Sequence, residues 1–233
     1  MKNLISVVCL MVFMAFLLGC QPKAEIIKEA TSEQITQVME SRIPGWHGYN
    51  KNAIGEAWQY EDGVISFDKE RGEGGDIVSN MEYEDFELSL QWKISDCGNS
   101  GIFWNIVESD DYPYPWLTGP EMQVLDNKCH PDAKIVTHRA GDLYDMIETS
   151  EVTVKPAGEW NAIKIISSDN NYSFWMNGVE VVTFTMHDEQ WDDMVANSKF
   201  KTMPAFGKAK KGRIGLQDHS DKVWFRNISI KEI

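Results

Sequence analysis

The stretch GPEMQVLDN, residues 119–127, concentrates polar groups that could act on a substrate: Glu121, Gln123 and Asp126. Residues i and i+2 of a β-strand share a face, ~7 Å apart, so a strand here presents Glu121 and Gln123 side by side. Asp126 is one residue out of phase, and we expect a bulge near Leu125 to return it to that face. The pattern predicts a polar surface that binds a sugar. The alternative interpretation is a solvent-facing polar row on an edge strand.

The spacing E-x-Q-x-x-D is similar to the E-x-D-x-x-E strand of the laminarinase and lichenase enzymes, which are curved jelly rolls. Ordinary glycoside hydrolysis needs two carboxyl groups at set separations across the bond. Gln123 stands where those enzymes have Asp and cannot carry a proton, and Asp126 is one methylene shorter than Glu. The standard retaining mechanism is therefore not expected.

A second polar segment, THRAGDLYDMI at residues 137–147, follows the loop NKCHPDAK and has the density of titratable groups of a binding rim. It contains His138, Arg139, Asp142, Tyr144 and Asp145. A histidine with an unperturbed pKa near ~6.5 can act as base or acid at neutral pH, which makes His138 a catalytic candidate. A purely structural role is the alternative for any single histidine.

A third segment, LQDHSD at residues 216–221, adds Gln217 and His219 as binding candidates. A metal site built from His219, His138 and a carboxylate lacks the HxH or HExxH spacing that would support it. The chain also lacks a P-loop, a GxGxxG after a strand and a GxSxG elbow. We therefore expect no cofactor; a metal site is possible but has no support in the spacing of these residues.

The elements that must position these residues read as β-strands. Residues 86–94, FELSLQWKI, alternate apolar and polar side chains, which is typical of a strand with one buried face. Asn177-Gly178 predicts a two-residue hairpin turn, and DEQWDDMVANSKF predicts the one later helix. In the final strand the apolar phase slips once between Phe225 and Ile228, as at a bulge. The pattern predicts an all-β fold: a jelly-roll sandwich of two antiparallel sheets with short peripheral helices, one domain over residues 41–233.

Amino-acid composition and net charge argue against some classes of function. The chain has 233 residues, 42% hydrophobic and 25% charged, as in an ordinary soluble globular protein. Lys and Arg number 22 against 36 Asp and Glu, a net charge of −14. An acidic chain without a basic stripe is not expected to bind nucleic acid. The nine tryptophans include core residues, and tryptophan is also the side chain that best offers a flat apolar face to a sugar ring.

The N-terminus predicts export. Lys2 precedes an apolar run from Leu4 to Leu18 that ends in LLGC, which resembles a bacterial lipobox. We expect residues 1–19 to be a signal peptide, Cys20 to be lipidated and anchored to a membrane, and residues 20–40 to form a tether with a short helix. The alternative is an ordinary signal peptide with an incidental cysteine. A Cys97–Cys129 disulfide is permitted by an export compartment, but the sequence does not decide it.

Ordered blocks along the chain closely resemble the bacterial 3-keto-disaccharide hydrolase domain. The blocks include GGDIVSNMEYEDFELSLQWKIS, GPEMQVLDN, RAGDLYDMI and GRIGLQDHSDKVWFRNISI, and the resemblance covers about Ile43 to Ile233. It implies a concanavalin A-like fold, an exported and often lipidated protein, and cleavage of glycosides already oxidised to a ketone at C3.

Such a ketone acidifies the hydrogen on C2, so that a base can remove it and the C1 substituent can leave by elimination, with water adding later. The reaction needs one base and one donor to the enolate oxygen. The residue types suggest Glu121 or His138 as the base and Arg139 or Gln123 as the donor. The predicted substrate-binding residues are Trp104, which would stack on the ring, with Gln123, Asp126, Asp142, Tyr144, Gln217 and His219. A non-catalytic carbohydrate-binding lipoprotein and an ordinary glucanase are the alternatives.

The lipobox hypothesis predicts the behaviour of a single variant. Cys20→Ser removes the thiol that would carry the lipid, so the protein should be released from membranes or left unprocessed. Membrane fractionation with immunoblotting measures this. A Cys20→Ser chain that sediments with membranes as the parent does would exclude lipid anchoring at Cys20.

Overall fold

A computed structural model describes residues 42–233. The predicted signal peptide, the lipidated cysteine and the tether with its helix lie outside the described residues. Within residues 42–233, no helix is long and apolar enough to cross a membrane.

The described chain is built from strands. In chain order they are β1 (Trp46–Gly48), β2 (Trp58–Glu61), β3 (Val64–Phe67), β4 (Ile77–Tyr83), β5 (Phe86–Ile94), β6 (Asn99–Ile106), β7 (Glu121–Leu125), β8 (Asn161–Ser168), β9 (Asn171–Met176), β10 (Val179–Thr185), β11 (Gly212–Leu216) and β12 (Val223–Glu232). One α-helix, α1 (Glu189–Asn197), and short 3-10 helices at Lys69–Arg71, Pro115–Leu117, Pro131–Lys134, Val136–His138 and Lys199–Thr202 lie between them.

The strands form two sheets whose pairings are all antiparallel. Five strands pair in the order β1-β4-β11-β6-β7, and seven pair in the order β10-β9-β8-β5-β12-β3-β2. Buried apolar side chains from both sheets form one large cluster. This confirms the predicted all-β sandwich of two antiparallel sheets.

Strand β5 is the centre of the seven-stranded sheet and follows the predicted register. Its apolar residues from Phe86 to Ile94 are buried, and the polar residues between them are only half-buried. Antiparallel partners flank it on both sides, β8 and β12. A strand between two partners with one fully buried face contributes strongly to the hydrophobic stabilisation of the fold.

The predicted hairpin turn, helix and register shift are also present. Asn177 and Gly178 join β9 to β10 with φ values of 51° and 90°, as a type I′ turn requires. Helix α1 begins after Asp188, whose carboxylate accepts a hydrogen bond from the Trp191 amide at 2.7 Å. In β12 the pairing with β5 shifts between Arg226 and Ser229, which is the predicted phase slip.

Cys97 and Cys129 form a disulfide, with their Cα atoms 4.9 Å apart. The bond ties the turn that precedes β6 to the loop that follows β7. It closes a sequence separation of 32 residues, and closing a loop of that length restricts the unfolded chain.

Strands β6 and β7 are buried on both faces. On one face, Ile102 and Trp104 of β6 and Met122 of β7 join the main core between the sheets. On the other face, Phe103 belongs to a smaller cluster with Tyr49, Val78 and Ile106, against which Trp116 packs. The outer face of the five-stranded sheet is therefore covered by residues outside the seven-stranded sheet, among them Tyr49 and Trp116.

The register of β5 predicts the effect of truncating one core side chain. Leu90 is 2% exposed, so Leu90→Ala should lower the free energy of unfolding by about 2–5 kcal/mol, because it removes buried methyl groups and leaves a cavity. Ser89→Ala, one residue away on the opposite face, should change it by less than about 0.5 kcal/mol. Chemical denaturation of both variants measures the difference. Equal losses would contradict the register.

Candidate active site

A cavity of about 340 Å³ opens on the outer face of the five-stranded sheet. This volume is within the range of small-molecule sites in proteins. Its walls combine charged, amide, aromatic and apolar side chains: Asn99, Trp116, Glu121, Gln123, Tyr144, Lys199, Phe200, Met203, Gln217 and His219. Glu121, Gln123, Tyr144, Gln217 and His219 were expected from the sequence at a sugar-binding surface, and the fold brings them together.

Glu121 is the first residue of β7 and lies over β6. A Cβ atom on Gly101 would collide with Oε1 of Glu121, so the glycine is what lets the carboxyl group lie against the sheet. Burial raises the pKa of Glu121 to about 8; the charge of Lys199 acts in the opposite direction. A carboxyl group with this pKa holds a proton near neutral pH and can also release it, which suits proton transfer.

Lys199 enters the cavity from the 3-10 helix that follows α1. Its Nζ atom lies 3.9 Å from the centroid of the Tyr144 ring, a cation-π contact. Burial lowers the pKa of Lys199, and the charge of Glu121 opposes that shift. The cavity thus holds a buried carboxyl group and an exposed ammonium group, and each charge favours the charged form of the other.

The predicted catalytic residues His138 and Arg139 do not line the cavity. Nε2 of His138 and Oδ1 of Asp145 are 2.8 Å apart, and the His138 ring packs on Tyr144 with the centroids 4.3 Å apart. Oδ2 of Asp145 accepts the backbone amide of Lys199 at 2.6 Å. His138 therefore lies behind the wall and orients Asp145, which in turn holds the backbone of Lys199.

Arg139 is used in the loop itself. Its Nε donates a hydrogen bond to the Ala133 carbonyl at 3.0 Å, and its backbone amide donates to Asp142 at 2.6 Å. Arg139 is therefore not among the residues that line the cavity.

Trp104, expected to stack on a sugar ring, is fully buried, and this prediction is wrong. Period-two alternation along β6 turns Trp104 to the face opposite Phe103, into the core between the sheets. There its ring centroid lies 5.6 Å from Tyr172 and 5.4 Å from Phe174 of the other sheet. Trp116, in the 3-10 helix Pro115–Leu117, is the tryptophan that lines the cavity.

Asp126 and Asp142 are structural residues, so their assignment to substrate binding is also wrong. No bulge occurs between β6 and β7, where pairing is regular from Phe103–Glu121 to Asn99–Leu125. Asp126 accepts the amides of Cys97 at 2.9 Å and Lys128 at 3.0 Å, which caps the turns beside the disulfide. Asp142 is fully buried and accepts the amides of Arg139 and Thr149, and burial raises its pKa to about 6.

Amide side chains supply the remaining polarity of the cavity. Oε1 of Gln123 accepts the Val124 amide at 3.0 Å, which fixes the orientation of its side chain. Oδ1 of Asn99 and Oε1 of Gln217 are buried with no hydrogen-bond partner within the described part of the chain. Buried acceptors of this kind are suited to the hydroxyl groups of a sugar.

The metal site considered from the sequence does not assemble, since His138 is bonded to Asp145. His219 lies instead beside His130, the two ring centroids being 6.2 Å apart. The residues that sequence reasoning missed are Asn99, Trp116, Lys199, Phe200 and Met203. The only sequence signal for Trp116 is the proline-rich stretch YPYPW that it ends. Nothing in the sequence near Lys199 distinguishes it from other surface lysines.

Comparison with known proteins agrees with this architecture. Residues 40–231 match the family model described as a 3-keto-alpha-glucoside-1,2-lyase-like domain. A protein of Bacteroides thetaiotaomicron named 3-keto-disaccharide hydrolase is 38% identical, over 80% of this chain and 74% of the relative. The crystal structure of a "putative glycosyl hydrolase" from Parabacteroides distasonis has a TM-score of 0.76 at 31% identity, covering 83% of this chain and 90% of that one.

A more distant likeness concerns the fold alone. A carbohydrate-binding module from Bacillus subtilis aligns with a TM-score of 0.51 at 14% identity, over 82% of this chain and 98% of that one. It agrees with the sandwich described above.

The coupling between Glu121 and Lys199 predicts a measurable shift. Because the Lys199 charge lowers the pKa of Glu121, Lys199→Met should raise it above its value of about 8 in the parent. Lys201→Met, which removes an exposed charge from the same 3-10 helix, should leave it unchanged. Carbon-13 NMR titration of labelled glutamate gives both values. An unchanged Glu121 pKa in Lys199→Met would mean that the two side chains do not interact.

Proposed function

The chain belongs to the 3-keto-alpha-glucoside-1,2-lyase-like family, and from this premise we propose that it cleaves 3-keto-glycosides by proton abstraction at C2 and elimination at C1. The observation that carries the proposal is the pair formed by Glu121 and Lys199 in the cavity. One group is a buried carboxyl whose pKa of about 8 lies near neutral pH, and the other is the ammonium group of Lys199, which lines the same cavity.

The reaction divides between these two groups. Glu121, as carboxylate, takes the C2 proton, and the electron pair of the C2–H bond becomes the enolate of the C3 ketone. The Lys199 ammonium stabilises the charge on the enolate oxygen. The enolate then re-forms the ketone, the C1–C2 double bond forms, and the C1–O bond breaks. The leaving oxygen is protonated as an alcohol, with protonated Glu121 the nearest source of the proton.

Water completes the net hydrolysis. Its addition across the C1–C2 double bond returns the proton to C2 and places a hydroxyl on C1, which gives the free 3-keto sugar. The overall change is glycoside plus water to keto sugar plus alcohol. It requires no covalent link between enzyme and sugar.

The same cavity argues against the glucanase alternative. Among the described residues that line it, Glu121 carries the single carboxyl group. Ordinary retaining and inverting glycosidases place two carboxyl groups about 5–9.5 Å apart across the bond. A site with one carboxyl and one ammonium suits abstraction of an acidified proton better than protonation of an unactivated glycoside.

Substrate binding is assigned to the remaining wall. Trp116 supplies an aromatic face, while Asn99 and Gln217 supply buried acceptors for hydroxyl groups. We include in the proposal that the enzyme is exported and held at a membrane by lipid on Cys20. The support for this part is the N-terminal sequence.

Removal of the Glu121 charge should test the chemistry. Glu121→Gln keeps the shape of the side chain, and the rate on a 3-keto-glucoside should fall by about 10²–10⁴-fold, the loss expected for a general base. Sugar binding should change much less, because the aromatic face and the amides remain. Glu180→Gln, at an exposed glutamate of β10, is the matched control and should retain the parent rate. Product analysis by NMR, with the unoxidised glucoside as a second substrate, measures each rate.

The pH dependence follows from the same carboxyl group. Glu121 must be ionised to act as base and its pKa is raised, so kcat/KM should rise with pH through about 8 and then level. This limb should be missing from the residual activity of Glu121→Gln. A parent protein that binds the keto sugar and leaves it intact from pH 5 to 9 would overturn the enzyme proposal in favour of a binding protein.

A further inference from the structure

A cluster of three metal-ligating side chains lies at the rim of the cavity. It consists of His130, His219 and Asp221, whose candidate ligand atoms lie within 4.8 Å of one another. The residues come from two loops distant in sequence, the one after β7 and the one between β11 and β12. From this arrangement we propose that His130, His219 and Asp221 bind one divalent transition-metal ion.

The distances are compatible with coordination after small side-chain rotations. Nδ1 of His219 and Oδ2 of Asp221 are 3.9 Å apart. Ligands at ~2.1 Å from a tetrahedral ion lie ~3.4 Å from each other, so the set must contract slightly. The side chain of His219 is 48% exposed and is therefore free to turn toward an ion.

The donor set selects the class of metal. Two imidazoles and one carboxylate suit zinc and its borderline neighbours better than calcium or magnesium, which prefer oxygen ligands. The nearby cysteines are joined to each other in the disulfide, so they offer no thiolate. Three protein ligands leave a coordination position open for water or substrate, as in catalytic rather than structural zinc sites.

The surrounding structure fixes two of the ligands in place. His130 follows Cys129, so the disulfide holds the start of its loop against the turn before β6. Oδ2 of Asp221 accepts the backbone amide of Asn99 at 3.0 Å. His130 must give up one bond, because its Nδ1 accepts the Asp132 amide at 3.2 Å. That acceptor is lost if Nδ1 binds the ion, and equally if Nε2 binds it and the ring proton moves to Nδ1.

His219 connects this cluster to the cavity, since it lines both. An ion held there would face the polar wall formed with Gln217. Under the proposed function, on which this role rests, it would act as a Lewis acid toward a ketone or hydroxyl oxygen of the sugar.

Metal titration without any sugar tests the site. The purified full-length chain is dialysed against a chelator and titrated with Zn²⁺ by calorimetry and with Co²⁺ by visible absorption. We expect one ion per chain. His219→Ala should weaken binding by more than the ~10–100-fold that loss of an outer-shell partner causes. His130→Asn should do the same while keeping an acceptor for the Asp132 amide.

Two further variants make the result specific. Asp221→Asn retains an oxygen for the Asn99 amide but loses the charge, and should also bind the ion more weakly. His187→Asn removes a histidine outside the cluster, at a φ of 65° that asparagine tolerates, and should bind as the parent does. Near-UV circular dichroism checks that each variant is folded.

Failure of the parent to bind Zn²⁺ and Co²⁺, or equal binding by the His130 and His219 variants, would overturn the metal site. Neither result bears on turnover of a 3-keto-glucoside. Conversely, a chain that binds one ion through these residues yet leaves the keto sugar intact would keep the metal site and overturn the proposed function.

Discussion

The burial of β6 and β7 on both faces is the constraint on which the site depends. Successive side chains of a strand point to opposite faces, so each residue added to the core fixes its neighbour on the outer face. Met122 and Val124 are in the main core. Glu121 and Gln123 must then face outward, and Gly101 of the paired strand leaves room for the carboxyl group. A register slip of one residue would exchange the core for the site.

Burial of a carboxyl group would be unfavourable without a nearby cation, and the loops around β7 supply one. Asp145 accepts the Lys199 amide and bonds His138, so one carboxylate joins the rim loop to the segment after α1. Tyr144, next in sequence, places its ring against Lys199 and donates its backbone amide to the Glu121 carbonyl. Hydrogen bonds thus fix the backbone of Lys199 at the cavity, and the Tyr144 ring contacts its ammonium group, whose charge favours ionisation of Glu121.

The parts of the structure that could be predicted from the sequence are those set by local pattern. The alternation of Phe86–Ile94 and the Asn177-Gly178 turn are properties of a few adjacent residues, and both were predicted correctly. The prediction for Trp104 was wrong because β6 is apolar on both faces, so its sequence does not show which residues face the other sheet. The prediction for Asp126 was wrong because an aspartate that caps a turn and an aspartate on a bulged strand look the same in the sequence. Lys199 and Trp116 reach the cavity only through tertiary packing.

The replacement of a second carboxylate by Gln123 then has a physical explanation. A carboxylate beside Glu121 would raise its pKa further, because two like charges in a poorly solvated site cannot both ionise readily. Gln123 is neutral, and its oxygen is occupied by the Val124 amide, so it adds polarity without charge. With Lys199 as the partner instead, Glu121 remains ionisable near physiological pH.

An acid–base pair for hydrolysis needs two carboxyl groups with separated pKa values, whereas abstraction of an acidic C–H needs one base and a positive charge. The pattern of the outer face of β7 meets the second requirement and departs from the first.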